Sequence, residues 1–134
     1  MTFATKATAI RTYFSTRWTS LGDGTIVVYE NVEYEPVVGT PFITFEHRPI
    51  DSTWVAPGWV DSIGAVLVSV FTPADAGPEA AETLATTAAS CLSRQTDSGV
   101  QFEEATIQPA ENLDDIGFFR VTLRTPYSYT EVAS

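Results

Sequence analysis

Residues able to serve as nucleophile, base or metal ligand are few. His47 is the only histidine and Cys91 the only cysteine in 134 residues. A metal centre needs several converging His, Cys or carboxylate ligands, and a thiolate nucleophile needs a base beside it. Neither residue has such a partner nearby in the sequence. His47 therefore reads as a strand histidine and Cys91 as a buried, inert thiol. A single cysteine excludes an intramolecular disulfide and a cysteine metal cluster, and it suits a reducing compartment. No glycine-rich phosphate loop follows a strand, no histidines stand at metal spacing, and no serine sits in a nucleophile motif. Asp114 and Asp115 are adjacent, so their side chains need not converge, and Asp51, Asp61 and Asp75 are scattered. These carboxylates read as solvated charges, although a carboxylate pair built from distant positions would leave no signature. The residue inventory points away from an enzyme and calls for no cofactor and no metal.

Charge narrows the classes further. Asp and Glu outnumber Lys and Arg 17 to 7, giving a net charge of −10. Lys6 is the only lysine and the arginines are dispersed. A nucleic-acid-gripping face clusters Lys and Arg against phosphates, so specific DNA or RNA binding is not expected. An acidic surface serves solubility, and it also repels DNA that must slide past. With 44% hydrophobic and 18% charged residues, the chain has ordinary globular composition and reads as one domain, residues 1–134. Met1 to Ile10 lacks the basic and apolar regions of a secretory signal. The longest nearly continuous apolar run, Ile63 to Phe71, is far short of the ~20 residues of a membrane span. A soluble, cytoplasmic protein without membrane contact is expected.

The elements that position these residues centre on Asp61 to Arg94. Ile63 to Phe71 reads as a long buried strand, Thr72 to Gly77 as a turn, and Pro78 onward as a helix with Ala81, Leu84, Ala85, Ala88, Cys91 and Leu92 on one stripe. Proline at the first helical position loses no needed hydrogen bond, and Glu79 and Glu82 suit the positive helix pole. Thr2 to Leu21 reads as a first helix, with Thr2 as N-cap. Phe3, Ala7, Ile10, Phe14, Trp18 and Leu21 form its apolar face, and Gly22-Asp23-Gly24 stops it. Thr25 to Tyr29 is a short β-branched strand, and Asn31 to Thr40 is a loop.

In Phe42 to Arg48, Ile43, Phe45 and His47 face one side of a strand. Pro49 to Gly58 reads as either a broad loop or an extended hairpin tip. Gln95 to Gly99 is a polar turn and Val100 to Gln108 a strand, with Glu103-Glu104 marking a bulge or exposed rim. Pro109 to Asp115 is a loop. In the last strand, Phe118 to Thr125, Phe119, Val121 and Leu123 oppose Arg120, Thr122 and Arg124, and Pro126 to Ser134 is a tail. The order is αβββαββ. Two one-sided helices pack on one face of a mainly antiparallel sheet of about five strands, an α+β fold.

Two tryptophans, Trp54 and Trp59, flank the end of the Pro49–Gly58 connection. They either fold back onto the core or pack on a neighbouring chain, where tryptophan is enriched. A monomeric module binding a peptide or small ligand through this aromatic segment is one reading.

The ordered motifs supply another. Tyr29-Glu30-Asn31-Val32-Glu33-Tyr34-Glu35-Pro36, then Gly39-Thr40-Pro41-Phe42-Ile43, then Val68-Ser69-Val70-Phe71-Thr72-Pro73 followed by Gly77 and an Ala-rich helix, and finally Thr125-Pro126-Tyr127, occur in sequence along the chain. Together they resemble the tail terminator and minor tail proteins of long-tailed bacteriophages over nearly the full length. Glu103-Glu104 and the Trp54–Trp59 segment depart from that pattern.

The resemblance implies a non-enzymatic virion protein of the tail or neck, assembled in the host cytoplasm. It implies a hexameric ring that caps the tail tube, ends its polymerisation and docks the head connector or stopper protein, with DNA passing through the lumen unbound. A head–tail joining role is the close variant. In such a ring Trp54 and Trp59 would supply contacts between subunits, and Arg48, Arg120 and Arg124 would pair with acidic groups on neighbours.

Overall fold

The computed structural model describes residues 3–21, 25–29, 40–73, 78–97, 99–109, 111–113 and 117–132. Along the chain run α1 (Phe3–Leu21), β1 (Ile26–Tyr29), β2 (Phe42–Ala56), β3 (Trp59–Pro73), α2 (Pro78–Leu92), β4 (Thr96–Asp97), β5 (Val100–Phe102), β6 (Thr106–Ile107), β7 (Glu111–Leu113) and β8 (Phe118–Val132). Six strands lie in the order β1-β2-β3-β8-β5-β4, and β6 and β7 also pair with β8. Among the described residues only the β1–β2 pair is parallel. The fold is α+β, as expected. Thr2, Gly22-Asp23-Gly24, the connection over 31–39 and the turn residues 74–77 lie outside the described residues.

Period-two alternation sets the buried face. Ile43, Phe45 and His47 of β2, Val66, Val68 and Val70 of β3, and Val121, Leu123 and Thr125 of β8 all point to the helical side and are buried. Ile10, Phe14 and Trp18 of α1 and Ala81, Ala85, Ala88, Cys91 and Leu92 of α2 close this core. Alanines bring α2 close to β3 and β8. The larger Phe14 stacks on Trp18 (5.9 Å between centroids) and tilts against Phe45 (4.9 Å). The opposite sheet face carries no helix among the described residues.

Three outcomes for the sequence reading have local causes. First, of the two readings of Pro49 to Gly58, the extended hairpin tip holds and the broad loop does not. β2 and β3 pair from Phe42↔Phe71 to Ala56↔Trp59 as one long hairpin. Pro57 followed by Gly58 at φ 81° suits a type II turn at its tip. Register shifts at Pro49/Asp51 and Trp54/Ala56 bend the arm.

Second, the Pro126–Ser134 tail is strand. β8 continues through Pro126 to Val132 beside β3. A central strand tolerates proline only where no ladder donor is needed. Pro126 lies opposite the gap between β5 and β6, and its carbonyl accepts from the Glu103 N–H at 2.8 Å.

Third, the expected Val100–Gln108 strand is two short strands. Around Glu103–Ala105 the chain bonds the end of α2 instead: Arg94 N–H to the Glu103 carbonyl at 3.0 Å and Ala105 N–H to Ser93 Oγ at 3.0 Å. Arg94, at φ 58°, makes that reversal. β4 and β7 likewise occupy the expected turn and loop.

Candidate functional site

His47 and Tyr127 are the most chemically capable pair, and both are buried. Tyr127 crosses Gly64, and its hydroxyl bonds His47 Nε2. Burial, then the neighbouring Tyr129, pushes the Tyr127 phenol above its usual range, so it remains protonated. The pair sits in an aromatic cluster with Phe102 and Tyr129. Both partners of this bond lie in the core. Cys91 is fully buried, and burial pushes its thiol up to about 11 despite nearby Arg17. A neutral thiol is a poor nucleophile and ligand. No three His, Cys, Asp or Glu side chains gather at metal-binding distance among the described residues. No described helix is long and apolar enough to cross a membrane.

The sequence-derived interface residues fall into two groups. Arg48, Arg120 and Arg124 all stand on the helix-free sheet face, Arg48 on β2 and the other two on β8. Two are engaged within the chain. Arg48 Nε meets Glu46 at 2.7 Å, and an Arg120 terminal nitrogen meets Glu111 at 2.9 Å. Arg124 is exposed between Leu67 and Thr106 and makes no ion pair among the described residues. Trp54 and Trp59 belong to the arm tip, where Trp54 lies opposite Val60 and Trp59 opposite Ala56. The Trp54 side chain lies outside the described ones. Trp59 is 47% exposed and does not fold back onto the core.

Ile63 is equally exposed and lies on the same face, four residues along β3 from Trp59. The sequence reading missed it, because a run with apolar residues at both odd and even positions reads as buried on both sides. Only the even positions, Ser62 to Thr72, are uniformly buried. Beside Ile63 lies a concavity of about 510 Å³ lined by polar and apolar groups alike, including Asp61, Gln101, Ser128 and Thr130. A smaller one of about 250 Å³ lies along α1 beside Arg11 and Tyr29. Small-molecule sites are mostly apolar with few polar groups. The larger concavity lacks that character.

No family model and no curated protein matches this sequence. Solved structures do match its fold. One, whose name carries no functional description, superimposes with TM-score 0.74 over 100% of this chain and 99% of its own, at 14% identity. A second belongs to the virion of a native gene transfer agent (GTA) particle. It covers 92% of this chain and 96% of its own, with TM-score 0.59 and 16% identity. The fold is shared with a virion chain. Helices and sheet are matched along nearly the whole of both chains, so the likeness concerns the entire domain and not a common substructure.

Proposed function

We propose that this chain is a structural virion protein of a long-tailed phage or phage-like particle. Six copies form a ring that caps the tail tube, ends its polymerisation and joins the tail to the head connector. The observation that carries this reading is the near end-to-end fold likeness to a chain of the GTA virion. The ordered motifs support it. So do the two surfaces just described, since an exposed Trp59–Ile63 face and an exposed Arg124 with no ion pair among the described residues suit contact with protein rather than with a small ligand. The net charge of −10 fits a channel through which DNA slides without adhering. The role is non-catalytic, and the site of action is the tail or neck of the virion.

Electron microscopy of particles made without this protein tests the reading. Overlong tails are the expected result. Finished tails of normal length beside filled, separate heads would instead assign a head–tail joining role. Normal particles would remove both. In a reconstruction of capped tubes, six 14.6 kDa chains would contribute about 88 kDa.

A further inference from the structure

Past one row of the sheet the three long strands continue alone. β1 stops opposite Phe45 and β5 stops opposite Ser128. Among the described residues, 51–56, 59–63 and 129–132 therefore have no strand on either outer side. These three segments form the arm. Of the buried hydrophobic core, only Tyr129 comes from the arm among the described residues. Segments with few buried apolar contacts lie at the low end of local stability.

The row at the base of the arm is built to bend. The β2–β3 register runs from Pro49↔Gly64 to Asp51↔Ile63, so Ile50 has no partner in β3, and it is 57% exposed. Such a bulge interrupts the ladder and bends its strand. Gly64 occupies the same row of β3 and has no side chain to stiffen the central strand. A hinge needs only a few residues that absorb changes of φ and ψ. Here two neighbouring strands supply them side by side.

One chain of contacts ties the arm across this row. Tyr129 of the arm stacks on Tyr127, with centroids 6.0 Å apart and planes 7° from parallel. Tyr127 reaches over Gly64 to bond His47 Nε2 on the body side. All three side chains are buried.

We infer that the arm is a hinged unit that swings about the Pro49–Gly64 row, and that the Tyr129–Tyr127–His47 contact is the latch that sets its angle. The arm carries exposed Trp59 and Ile63, so its angle decides where these two side chains are aimed. The hinge stands whether or not the chain forms rings.

Residual dipolar couplings of backbone N–H groups test it in the parent, Tyr127→Phe and Tyr129→Ala chains. Tyr127→Phe removes the bond to His47, and Tyr129→Ala removes the stack. Couplings from 51–54, 60–63 and 129–132 report the arm, and those from 42–47, 66–72 and 119–125 the body. In each variant the ratio of arm to body alignment should fall at least about 15% below the parent's, the size of contrast that separates rigid from mobile backbone. Each set should still fit a single alignment of its own. A body set that fits the parent structure shows that the variant has folded, and if Tyr129→Ala fails that check, Tyr127→Phe decides alone. A ratio equal to the parent's in either folded variant means a fixed bend. An arm set that no single alignment fits means frayed strands. Either result overturns the assignment.

Discussion

The Tyr127 side chain occupies the space that a β-carbon on Gly64 would need. The two residues pair across β3 and β8, and the phenol lies over the glycine to reach His47. A methyl group at position 64 would also stand within 2.6 Å of the Arg48 carbonyl, which is backbone and cannot step aside. Gly64→Ala should cost about 1–3 kcal/mol through overpacking. Tyr127→Phe keeps the ring but removes its hydrogen bond to His47 Nε2 in a buried site, and should cost about 1–3 kcal/mol. Urea unfolding measures both, and a Gly64→Ala variant as stable as the parent would show that the arm base is loosely packed.

Phe14 and Trp59 should respond oppositely to truncation. Phe14 is fully buried between Trp18 and Phe45, so Phe14→Ala should cost about 3–5 kcal/mol. Trp59→Ser, at an exposed arm tip, should change the stability of the isolated chain by no more than about 0.5 kcal/mol. A large loss at Trp59 would mean that it packs within its own chain.

The thiol gives a pH prediction with a definite sign. The Cys91 pKa is raised from 9.0 to about 11 by burial, so the folded chain holds this proton more tightly than the unfolded chain. Stability from this group is intact below pH 9 and declines as pH rises towards 11. Cys91→Ala should flatten that alkaline decline, as read from unfolding midpoints across the range. In the native protein at neutral pH, Cys91 should react with a thiol reagent only as fast as the core opens.

The surface ion pairs should matter little to the isolated fold. Arg48–Glu46 and Arg120–Glu111 are solvent-accessible on both sides. Removing either arginine's charge should cost less than about 1 kcal/mol, and added salt should reduce that further. Differential scanning calorimetry at low and high salt checks this.

Sequence legibility followed local signal strength. The faces of Phe42 to Arg48 and Phe118 to Thr125, the buried stripe of α2 and the burial of Cys91 were all readable from periodicity, because each element has one apolar side. Helix α1 was readable in the same way at Ile10, Phe14 and Trp18. The continuation of β8 past Pro126 was not. A proline inside a strand is permitted here only by a gap between β5 and β6, a tertiary fact with no local trace. The exposure of Ile63 was hidden for a similar reason: nothing in the sequence says which face of β3 the helices cover. The arginines proposed as interface residues are on one face, as β-alternation alone would put Arg120 and Arg124. Their intrachain partners at Glu46 and Glu111 became visible only from geometry.

The position of β8 also constrains the order of events in folding. It is the last described strand along the chain, yet it lies between β3 and the short strands β5, β6 and β7. Until Phe118 to Val132 has left the ribosome, β3 has an unfilled edge, β5 has only β4, and β6 and β7 lack their partner strand. Pairings between such distant segments form slowly. A nascent chain is therefore expected to remain unfinished through most of its synthesis. It gains a complete sheet in one late step, which keeps half-made chains from presenting the surfaces that finished ones use.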